Sequence, residues 1–576
     1  MAFQISPGVN VSEVDLTTVV PSVLTTAGAF AGTFPWGPAN QPVSIDSEIN
    51  LIRNMAPAGP DSNSAVSFFT AANFLSYGNN LNIVRAVGAT SNNATLGSSV
   101  QIPNAAAFEA SLLNTNNANL YGAFMARYPG SLGNSIKVDV FDSANTALFN
   151  QWTYKNYFQS APSTSDYVSN VRGANDEIHI VVVDVNGKFT GVANTVLETF
   201  GFVSKAYDAT LNGSTNYYKQ VIFDQSRYVY ATDPVDFANT SSTWGQTAAA
   251  TVFARIDSIA CPGGNSMQTL TLGSDVAPTT GNLQTGYDQF NNKDSIDISL
   301  VLTGDASSTL QNYVIGTIAN PDTLTDSRRD CVVFVSPPSS AVVNKSGQET
   351  TLISAWVSSL TKSSYVFADS GWKYQYDKYN NVYRWIPLNG DIAGLCVSTD
   401  TSRDPWYSPA GFNRGAIKNA IKLAWNPSKS DRDTIYSAGV NPVVSFPGQG
   451  IVLYGDKTLQ NKPSAFDRIN VRRLFITLEK SISTAAKFSL FELNDEFTRA
   501  HFVSLVTPFL RDVQGRRGIT DFKVVCDDTN NTPQVVDSNR FVGDIYIKPA
   551  RSINYIQLNF VAVATGVDFT TVVGAF

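Results

Sequence analysis

Histidine and cysteine are scarce in this sequence, and their scarcity removes most of the material for catalytic and metal sites. The 576 residues contain two histidines, His179 and His501, which are too few for a histidine-based triad or a metal cluster. We therefore expect a packing or surface role for both. The four cysteines form no C-x-x-C pair and lie far apart, which favours free thiols in a reducing compartment over a zinc site or a disulfide framework. These cysteines are Cys261, Cys331, Cys396 and Cys526.

Charge is also in short supply. Charged residues make up 15% of the chain, below the typical ~25%, and hydrophobic residues make up 43%. Acidic residues outnumber basic ones 47 to 40, so the formal net charge is -7 and no basic field is available for nucleic acid or an anionic membrane. No stretch approaches the ~20 apolar residues of a membrane helix, and the N-terminus lacks a secretory signal pattern. We expect a cytosolic protein without a nucleic-acid or membrane partner.

Two motifs of known chemistry are present only in incomplete form. The run Gly455-Asp-Lys-Thr458 is similar to the end of a phosphate-binding loop. An aspartate separates its glycine from its lysine, however, and the upstream glycine is missing, so a turn is the better interpretation. The oxygen-rich run Asp527-Asp-Thr-Asn-Asn531 could hold calcium, but it lacks the glycine and terminal glutamate of an EF-hand loop. Such runs more often form turns. We predict neither a metal site nor a cofactor.

One enzymatic possibility remains open. Asp369, Asp400 and Asp404 could supply the pair of carboxylates that glycoside hydrolysis requires. One would act as the acid and the other as base or nucleophile, which depends on their separation in the folded chain. This hypothesis predicts a carbohydrate-active enzyme that turns over as a monomer or small oligomer.

Length and residue pattern indicate several domains. The chain exceeds the roughly 250 to 300 residues at which a single hydrophobic core stops growing. Much of it consists of short strand-like runs separated by Gly, Pro, Asn and Ser. The run Glu177–Val185, followed by Asn186-Gly187, predicts a β-hairpin. Residues 88–120 carry little charge and little periodicity, which predicts an exposed loop or a small excursion from the fold.

The C-terminal third has the clearest helical pattern. Apolar residues recur there at spacings of three and four, which places them on one face of a helix. They are Val471, Phe475, Leu478, Ile482 and Ala486. A second helix is predicted from about Asn494 to Gly515, with Pro508 kinking or splitting it. Alternation over Asp544–Lys548 and over Ile556–Phe560 predicts two half-buried strands, so this region should form a compact α+β unit.

Two further features point to partners. Both chain ends carry more apolar residues than free tails usually do, and termini fray unless something holds them. These residues are Val9, Val11, Val14 and Leu16 at one end and Val567, Phe569, Val572, Val573 and Phe576 at the other. Basic side chains concentrate late in the chain, at Arg472, Arg473, Arg511, Arg516 and Arg517. They form either a solvated helix surface or a patch that faces an acidic protein partner.

Long runs of the sequence resemble the tail sheath proteins of T4-like contractile phages. The similarity is densest after about Tyr365, and the longest runs are Phe491–Arg499, Phe509–Gly518, Asp521–Asp527 and Gly543–Ile553. Other similar runs are Ser6–Val14, Tyr128–Asn134, Tyr376–Tyr379, Arg384–Gly394, Trp406–Gly411, Asn530–Thr532, and Asn441-Pro442 ahead of Gly448 and Gly450. The resemblance therefore touches nearly the whole chain.

The resemblance implies a multidomain α+β fold, in which a conserved inner α+β domain is built from both chain ends and nested β-rich outer domains are inserted. The expected segments are 1–22 as an N-terminal arm that joins the inner domain, 23–87 plus 341–455 as a middle domain, 88–340 as an outer inserted domain, and 456–576 as the inner domain with a C-terminal arm. Residues 88–120 are far fewer than in the long T4-like members. Their protruding outer domain is therefore expected to be reduced or missing here.

The resemblance also implies a structural function without enzymatic activity. Subunits would polymerise helically around a tail tube and contract to drive it through the host envelope for genome delivery. Strands from the ends of neighbouring subunits would join each inner sheet. The residues expected in this strand exchange are Val9, Val11, Val14, Leu16, Phe569, Val572, Val573 and Phe576. The candidates for facing the tube are Arg472, Arg473, Arg511, Arg516 and Arg517.

The implied partners are further copies of the chain, the tail tube protein, and the baseplate and tail terminator proteins. The implied location is the virion tail, assembled in the host cytoplasm. An alternative within the same fold is the sheath of a tailocin or of a secretion-type injection machine. The carbohydrate-active enzyme described above is the alternative of a different class, and it predicts that no filaments form.

Overall fold

The computed structural model describes residues 25–113, 120–235, 243–256, 265–319 and 328–557. The strands in chain order are β1 (Gly28–Gly32), β2 (Pro42–Ile45), β3 (Leu81–Arg85), β4 (Phe124–Ala126), β5 (Ile136–Phe141), β6 (Glu177–Asp184), β7 (Thr195–Ser204), β8 (Thr210–Leu211), β9 (Ser214–Thr215), β10 (Val229–Ala231), β11 (Asn265–Thr269), β12 (Leu300–Leu302), β13 (Val332–Val335), β14 (Val366–Asp369), β15 (Trp372–Asp377), β16 (Val382–Pro387), β17 (Lys422–Leu423), β18 (Val440–Asn441), β19 (Val443–Phe446), β20 (Gly450–Leu453), β21 (Ile519–Val525) and β22 (Asp544–Pro549).

The helices are α1 (Glu48–Met55), α2 (Ser62–Leu75), α3 (Ala105–Ser111), α4 (Thr146–Gln151), α5 (Asp166–Asn170), α6 (Tyr218–Gln225), α7 (Thr280–Asp288), α8 (Ser308–Val314), α9 (Ser339–Val342), α10 (Glu349–Ser358), α11 (Asn389–Ser402), α12 (Lys429–Ser437), α13 (Ile469–Ala486), α14 (Glu496–Gly515) and α15 (Pro533–Asp537). None of the helices in these ranges has the length and apolar character needed to cross a membrane.

Seven strands form the main sheet, in the order β18-β14-β13-β12-β1-β3-β2. Every neighbouring pair is parallel except β2 and β3, which are antiparallel at one edge. All residues of β1, β13 and β14 are buried. Strands of a parallel sheet that is covered on both faces read as short apolar runs, not as an alternation. This is why the sequence shows strand-like runs here without revealing their parallel order.

Two separate segments of the chain build this sheet. The first ends with β3. The second begins with α7, whose Tyr287 lies in the sheet's hydrophobic core and donates a hydrogen bond to the Leu302 carbonyl at 2.7 Å. β12 and β13 then pair inside the sheet. The expected boundary of the outer domain at residue 340 is therefore wrong, because 280–340 belongs with the central sheet. We call residues 25–87 with 280–460 the central unit and residues 88–279 the outer unit.

The outer unit contains a four-stranded antiparallel sheet in the order β11-β5-β6-β7. The predicted hairpin is confirmed, since β6 and β7 pair antiparallel on either side of Asn186-Gly187. The connection is longer than a two-residue turn because the Asp184 carboxylate organises it. It accepts hydrogen bonds from the backbone N–H groups of Lys188, Phe189 and Thr190 at 2.9 to 3.0 Å.

Residues 88–113 are more ordered than the predicted loop. They contain α3, which begins at the cap Asn104, whose side chain accepts from the Ala107 N–H at 3.0 Å. Phe108 is fully buried and stacks on Tyr230 with ring centroids 3.9 Å apart. The segment is a small excursion with its own apolar cluster, not an exposed loop.

The C-terminal unit, residues 461–557, agrees closely with its predicted elements. α13 covers the predicted apolar face, and α14 begins after the cap Asp495, which accepts from the Thr498 N–H at 2.8 Å. α14 continues across Pro508 without being split. β22 contains the first predicted alternation, whereas Ile556 and Gln557 lie outside any strand and residues 558–560 of the second alternation lie outside the described residues.

Candidate subunit interface

The C-terminal unit presents an open two-stranded sheet. β21 and β22 pair antiparallel, from Val525 opposite Asp544 to Ile519 opposite Pro549. Within the described ranges no third strand pairs with either of them. Each strand therefore keeps one edge of backbone N–H and C=O groups without a ladder partner. Such an edge can accept a strand from another chain.

One face of this small sheet is closed by the two helices. Leu474 and Leu478 of α13 pack in one buried cluster with Val506 and Leu510 of α14, and Phe522 of β21 packs against them. The spacing of four residues within each helix puts each pair on one side. The edges of the sheet, and not its covered face, are therefore the part left for a partner.

The connection from α13 to α14 carries an exposed apolar surface. Five large apolar side chains within ten positions are more than half exposed: Phe488 (77%), Leu490 (61%), Phe491 (105%), Leu493 (77%) and Phe497 (79%). Phe491 also has φ of 70°, a left-handed conformation that bulky residues rarely adopt. Exposed apolar surface of this kind marks a contact region. Sequence reasoning missed it, because these residues follow neither a helical nor a strand period.

The chain is anchored shortly before its C-terminal end. Asp456 accepts hydrogen bonds from Ser552 at 2.7 Å and from Asn554 at 2.9 Å, and its carboxylate pairs with Arg468 at 3.3 Å. The nearby side chains of Ile553, Tyr555 and Ile556 are 81%, 82% and 77% exposed. The run from Gly455 is not a turn: Lys457 pairs with Arg468 in an isolated β-bridge, and Asp456 beside it anchors the chain.

Arg472 and Arg473 are buried, so their prediction as tube-facing residues is wrong. Arg472 is 6% exposed and lies between the rings of Tyr365 and Phe466, with 4.2 and 3.9 Å from its guanidinium carbon to their centroids. It donates to the Ser364 hydroxyl at 2.8 Å. The guanidinium of Arg472 therefore makes cation–π contacts inside the subunit, where the two rings cover it.

Arg473 forms a buried ion pair with Asp400 of α11, and the two side chains are only 5% and 4% exposed. Thr25 also donates to Asp400, at 2.7 Å. Burial alone would lower the pKa of Arg473, but the adjacent carboxylate of Asp400 outweighs it and raises the pKa. Because α13 belongs to the C-terminal unit and α11 to the central unit, this pair fastens the two units together.

Three basic residues do lie on the surface, around the end of α14. Arg511, Arg516 and Arg517 are exposed. Arg516 pairs with Asp404, and its guanidinium carbon lies 5.3 Å from the ring centroid of Trp406. Arg511 and Arg517 form no ion pair with a described residue, so they are available to an acidic surface. Their role towards a tube stays a prediction.

The aspartates considered for hydrolysis are engaged separately. Asp369 is fully buried, where it accepts from Ser336 at 2.6 Å and from the Gly371 N–H at 2.9 Å. Burial raises the pKa of Asp369 to about 8, although both hydrogen bonds act in the opposite direction. Asp400 pairs with Arg473, and Asp404 pairs with Arg516. The structure therefore does not assemble these three carboxylates into a hydrolytic pair.

Packing accounts for His179 and for three of the cysteines. The ring of His179 is buried, donates from Nε2 to the Ser160 carbonyl at 2.8 Å and accepts at Nδ1 from the Phe202 N–H at 3.1 Å. Burial lowers the pKa of His179, so the neutral ring is the stable form. Three cysteines are buried free thiols, namely Cys331, Cys396 and Cys526. The part of the chain that the structure describes contains no cluster of side chains suited to a metal ion.

The eight residues predicted to exchange strands lie outside the described residues. They are Val9, Val11, Val14, Leu16, Phe569, Val572, Val573 and Phe576. The described part of the C-terminal unit carries the free edges of β21 and β22 and the exposed 488–497 segment, and its chain is anchored before residue 558.

Family models and related sequences all match this chain to phage tail sheath proteins. Residues 300–459 match the family model of the phage tail sheath protein central domain, and residues 461–562 match that of the phage tail sheath C-terminal domain. The tail sheath protein of Vibrio phage KVP40 is 34% identical over 685 aligned positions, covering 99% of this chain and 100% of the relative. That of Enterobacteria phage T4 is 32% identical over 694 positions, covering 99% of each chain. Both alignments exceed 576 positions, so these relatives contain segments that this chain lacks.

Two solved structures share the fold. The sheath tail protein of Listeria innocua superposes with a TM-score of 0.54 at 12% identity, covering 93% of this chain and 94% of that one. The helical sheath of the anti-feeding prophage in its contracted state superposes with a TM-score of 0.51 at 12% identity, covering 97% of this chain and 99% of that one.

Proposed function

This chain belongs to the family of phage tail sheath proteins, and we propose that it forms the contractile sheath by exchanging strands between subunits at the C-terminal unit. The observation that carries this proposal is the open sheet of β21 and β22, whose helix-covered face leaves the two edges free. Subunits that join through such non-identical surfaces extend into a helical filament. The sheath would surround a tail tube and shorten to drive it through the host envelope for genome delivery.

The chain ends are the proposed source of the added strands. Beyond the Asp456 anchor the described chain carries the exposed apolar side chains of Tyr555 and Ile556, and the C-terminal end continues from there. Backbone hydrogen bonds along a free edge would supply the strength of the contact, and apolar residues such as Val9 and Phe569 would set its register. The exposed 488–497 segment lies in the same unit and offers further apolar area to a neighbouring subunit.

Contraction is proposed to move whole subunits as rigid bodies. The Arg473–Asp400 pair, and Arg472 between Tyr365 and Phe466, join the C-terminal unit to the central unit over a buried junction. A packed junction of this type resists continuous deformation, so the two units of a subunit would turn together. Strand links between subunits would then stay intact while the orientation of each subunit changes. The extended polymer would be metastable, with its conversion limited by a barrier.

The proposed partners beyond further copies of the chain are the tube, baseplate and tail terminator proteins, in a virion tail assembled in the host cytoplasm. For the tube contact we propose the exposed residues Arg511, Arg516 and Arg517, without the buried Arg472 and Arg473. Charge reversal at Arg511 and Arg517 should weaken co-assembly with an acidic tube and reduce its salt dependence. Unchanged co-assembly would remove this surface from the proposal.

Truncation tests the strand exchange directly. Deleting residues 1–20 or 564–576 should abolish the formation of sheath-like tubes in electron micrographs of the purified chain, since the added strands are lost. The melting temperature of the monomer should change little, because the buried cores of the central and C-terminal units remain. Substituting Tyr376, which is exposed on the central unit, provides a control that should still polymerise. Tubes from a truncated chain, or outright unfolding of the monomer, would contradict strand exchange.

A further inference from the structure

A cleft lies at the carboxyl ends of the central parallel strands. β1 pairs with β3 on one side and with β12 on the other, and β13 lies beyond β12. Beside this point, where the strand order reverses, is a cleft with a volume of about 510 Å³. Open parallel sheets bind ligands in the crevice at this position, because the strand ends and the loops that follow them diverge there.

The cleft has one charge without a partner. Asp305 follows β12 and lines the cleft, and it forms no hydrogen bond or ion pair with any described residue. The side chain of Asp305 is exposed, so water hydrates its carboxylate in the free chain. The other charged residue of the lining, Arg384, is already matched: it donates to Asp377 at 2.7 Å and to the Pro60 carbonyl at 3.0 Å. Asp305 is therefore free to accept hydrogen bonds from a ligand.

The opposite wall is aromatic. Tyr383 and Trp385 lie two residues apart on β16, so their side chains project from the same face of the strand. Each packs on Tyr374 of β15, with ring centroids 5.5 and 4.6 Å apart. Tyr383 is nevertheless 54% exposed. The wall therefore offers rigid ring surface together with a phenol hydroxyl.

Small polar groups also line the cleft, beside the apolar residues Val66, Val343 and Trp372. Ser62 and Asn63 come from the start of α2, and Ser340 comes from α9. These groups can both donate and accept hydrogen bonds. A cleft that combines neutral polar groups, aromatic rings and one carboxylate favours a ligand whose own surface alternates between apolar patches and hydroxyl groups.

We propose that this cleft binds a neutral carbohydrate, with the apolar face of a pyranose ring on Tyr383 or Trp385 and a sugar hydroxyl donating to Asp305. The carboxylate of Asp305 would repel an anionic ligand. A metal ion would find one carboxylate where several oxygen ligands are needed. An apolar ligand would bury the carboxylate without a hydrogen bond, which is costly.

The site is for binding and not for hydrolysis. Asp305 is the only carboxylate in the lining, and glycoside hydrolysis needs two across the scissile bond. The inference is independent of sheath assembly, because the cleft is built within the central unit of one chain.

Calorimetry on the full-length monomer at pH 8 tests the site, with maltohexaose, cellohexaose and chitohexaose as probes. At least one of them should bind. Asp305→Ala and Tyr383→Ala should each weaken that binding about ten- to a hundredfold, the usual effect of losing a hydrogen bond to a charged group or a stacked ring. Tyr454→Ala is the matched control, since Tyr454 is 46% exposed in the central unit but neither lines the cleft nor packs on a ring that does. It should bind like the unmodified chain.

Circular dichroism establishes that each variant is folded, and Asp305→Asn replaces Asp305→Ala if the latter is not. Absence of binding to all three hexasaccharides overturns the proposal. Binding that Asp305 and Tyr383 substitutions leave unchanged overturns it as well, because the sugar would then occupy another surface.

Discussion

The junction between the C-terminal and central units should depend on the buried Arg473–Asp400 pair. Arg473→Met keeps the length of the side chain and removes only its charge, so little cavity is created. It leaves Asp400 buried with Thr25 as its hydrogen-bond donor. Removing one member of a buried pair costs about 3–5 kcal/mol, because the other charge stays desolvated. The opening equilibrium of α13 should therefore rise by roughly two to three and a half powers of ten.

The pair itself should contribute much less than this loss. Nη1 of Arg473 and Oδ1 of Asp400 are both buried without a hydrogen-bond partner, so the charges are imperfectly satisfied even when paired. The double substitution Arg473→Met with Asp400→Asn removes both charges and keeps an acceptor for Thr25. It should recover most of the stability lost in the single variant.

Hydrogen exchange, resolved to peptides from α11 and α13, measures this junction without averaging over the other units. Lys548→Met is the matched control on the C-terminal unit. It breaks the pair of Lys548 with Asp521, whose side chains are 75% and 60% exposed, and should cost about 0–1 kcal/mol. A loss below about 1 kcal/mol in Arg473→Met, or a double variant as unstable as the single one, would refute the reasoning.

Three other substitutions have expected outcomes. Asp142→Ala leaves the fully buried Lys205, 2.8 Å away, without its carboxylate, so exchange protection of the outer unit should fall by about 3–5 kcal/mol while α13 is unaffected. Trp406→Ala should destabilise the C-terminal unit by about 3–5 kcal/mol in urea, because it removes a buried indole that donates to the Arg516 carbonyl at 3.1 Å. Burial raises the pKa of Asp369 from 3.8 to about 8, so the native chain holds this proton more tightly and loses stability as pH rises between those values. Asp369→Asn should therefore raise the melting temperature more at pH 9 than at pH 4; an equal shift at both would contradict it.

The C-terminal unit was predictable because its signals are local. The period of α13 and the cap at Asp495 are visible within a few residues of each other. Pro508 was expected to kink or split α14, yet the helix continues through it. Pro508 and Ser504, whose carbonyl loses its helical donor, are both exposed, so water can satisfy that carbonyl.

The central sheet and the junction were not predictable because their signals are distant. The pairing of Gly28 with Leu300 has no local signature, so the boundary at residue 340 was misplaced. Arg472 and Arg473 were assigned to the surface because arginine is rarely buried. Their burial depends on Tyr365 and Asp400, which lie far away in the sequence and give no local indication of the contact.

Because two distant segments of the chain build the central sheet, its neighbouring strands are synthesised at different times. β12, which covers one edge of β1, leaves the ribosome some 270 residues after β1 does. At 5–20 residues per second this is a delay of roughly 14 to 54 seconds. During it the edge of β1 is open and prone to wrong pairing. The C-terminal unit is made later still, so a nascent chain lacks the surface that we propose for polymerisation. On that proposal, the order of the chain delays assembly until nearly the whole subunit has been made.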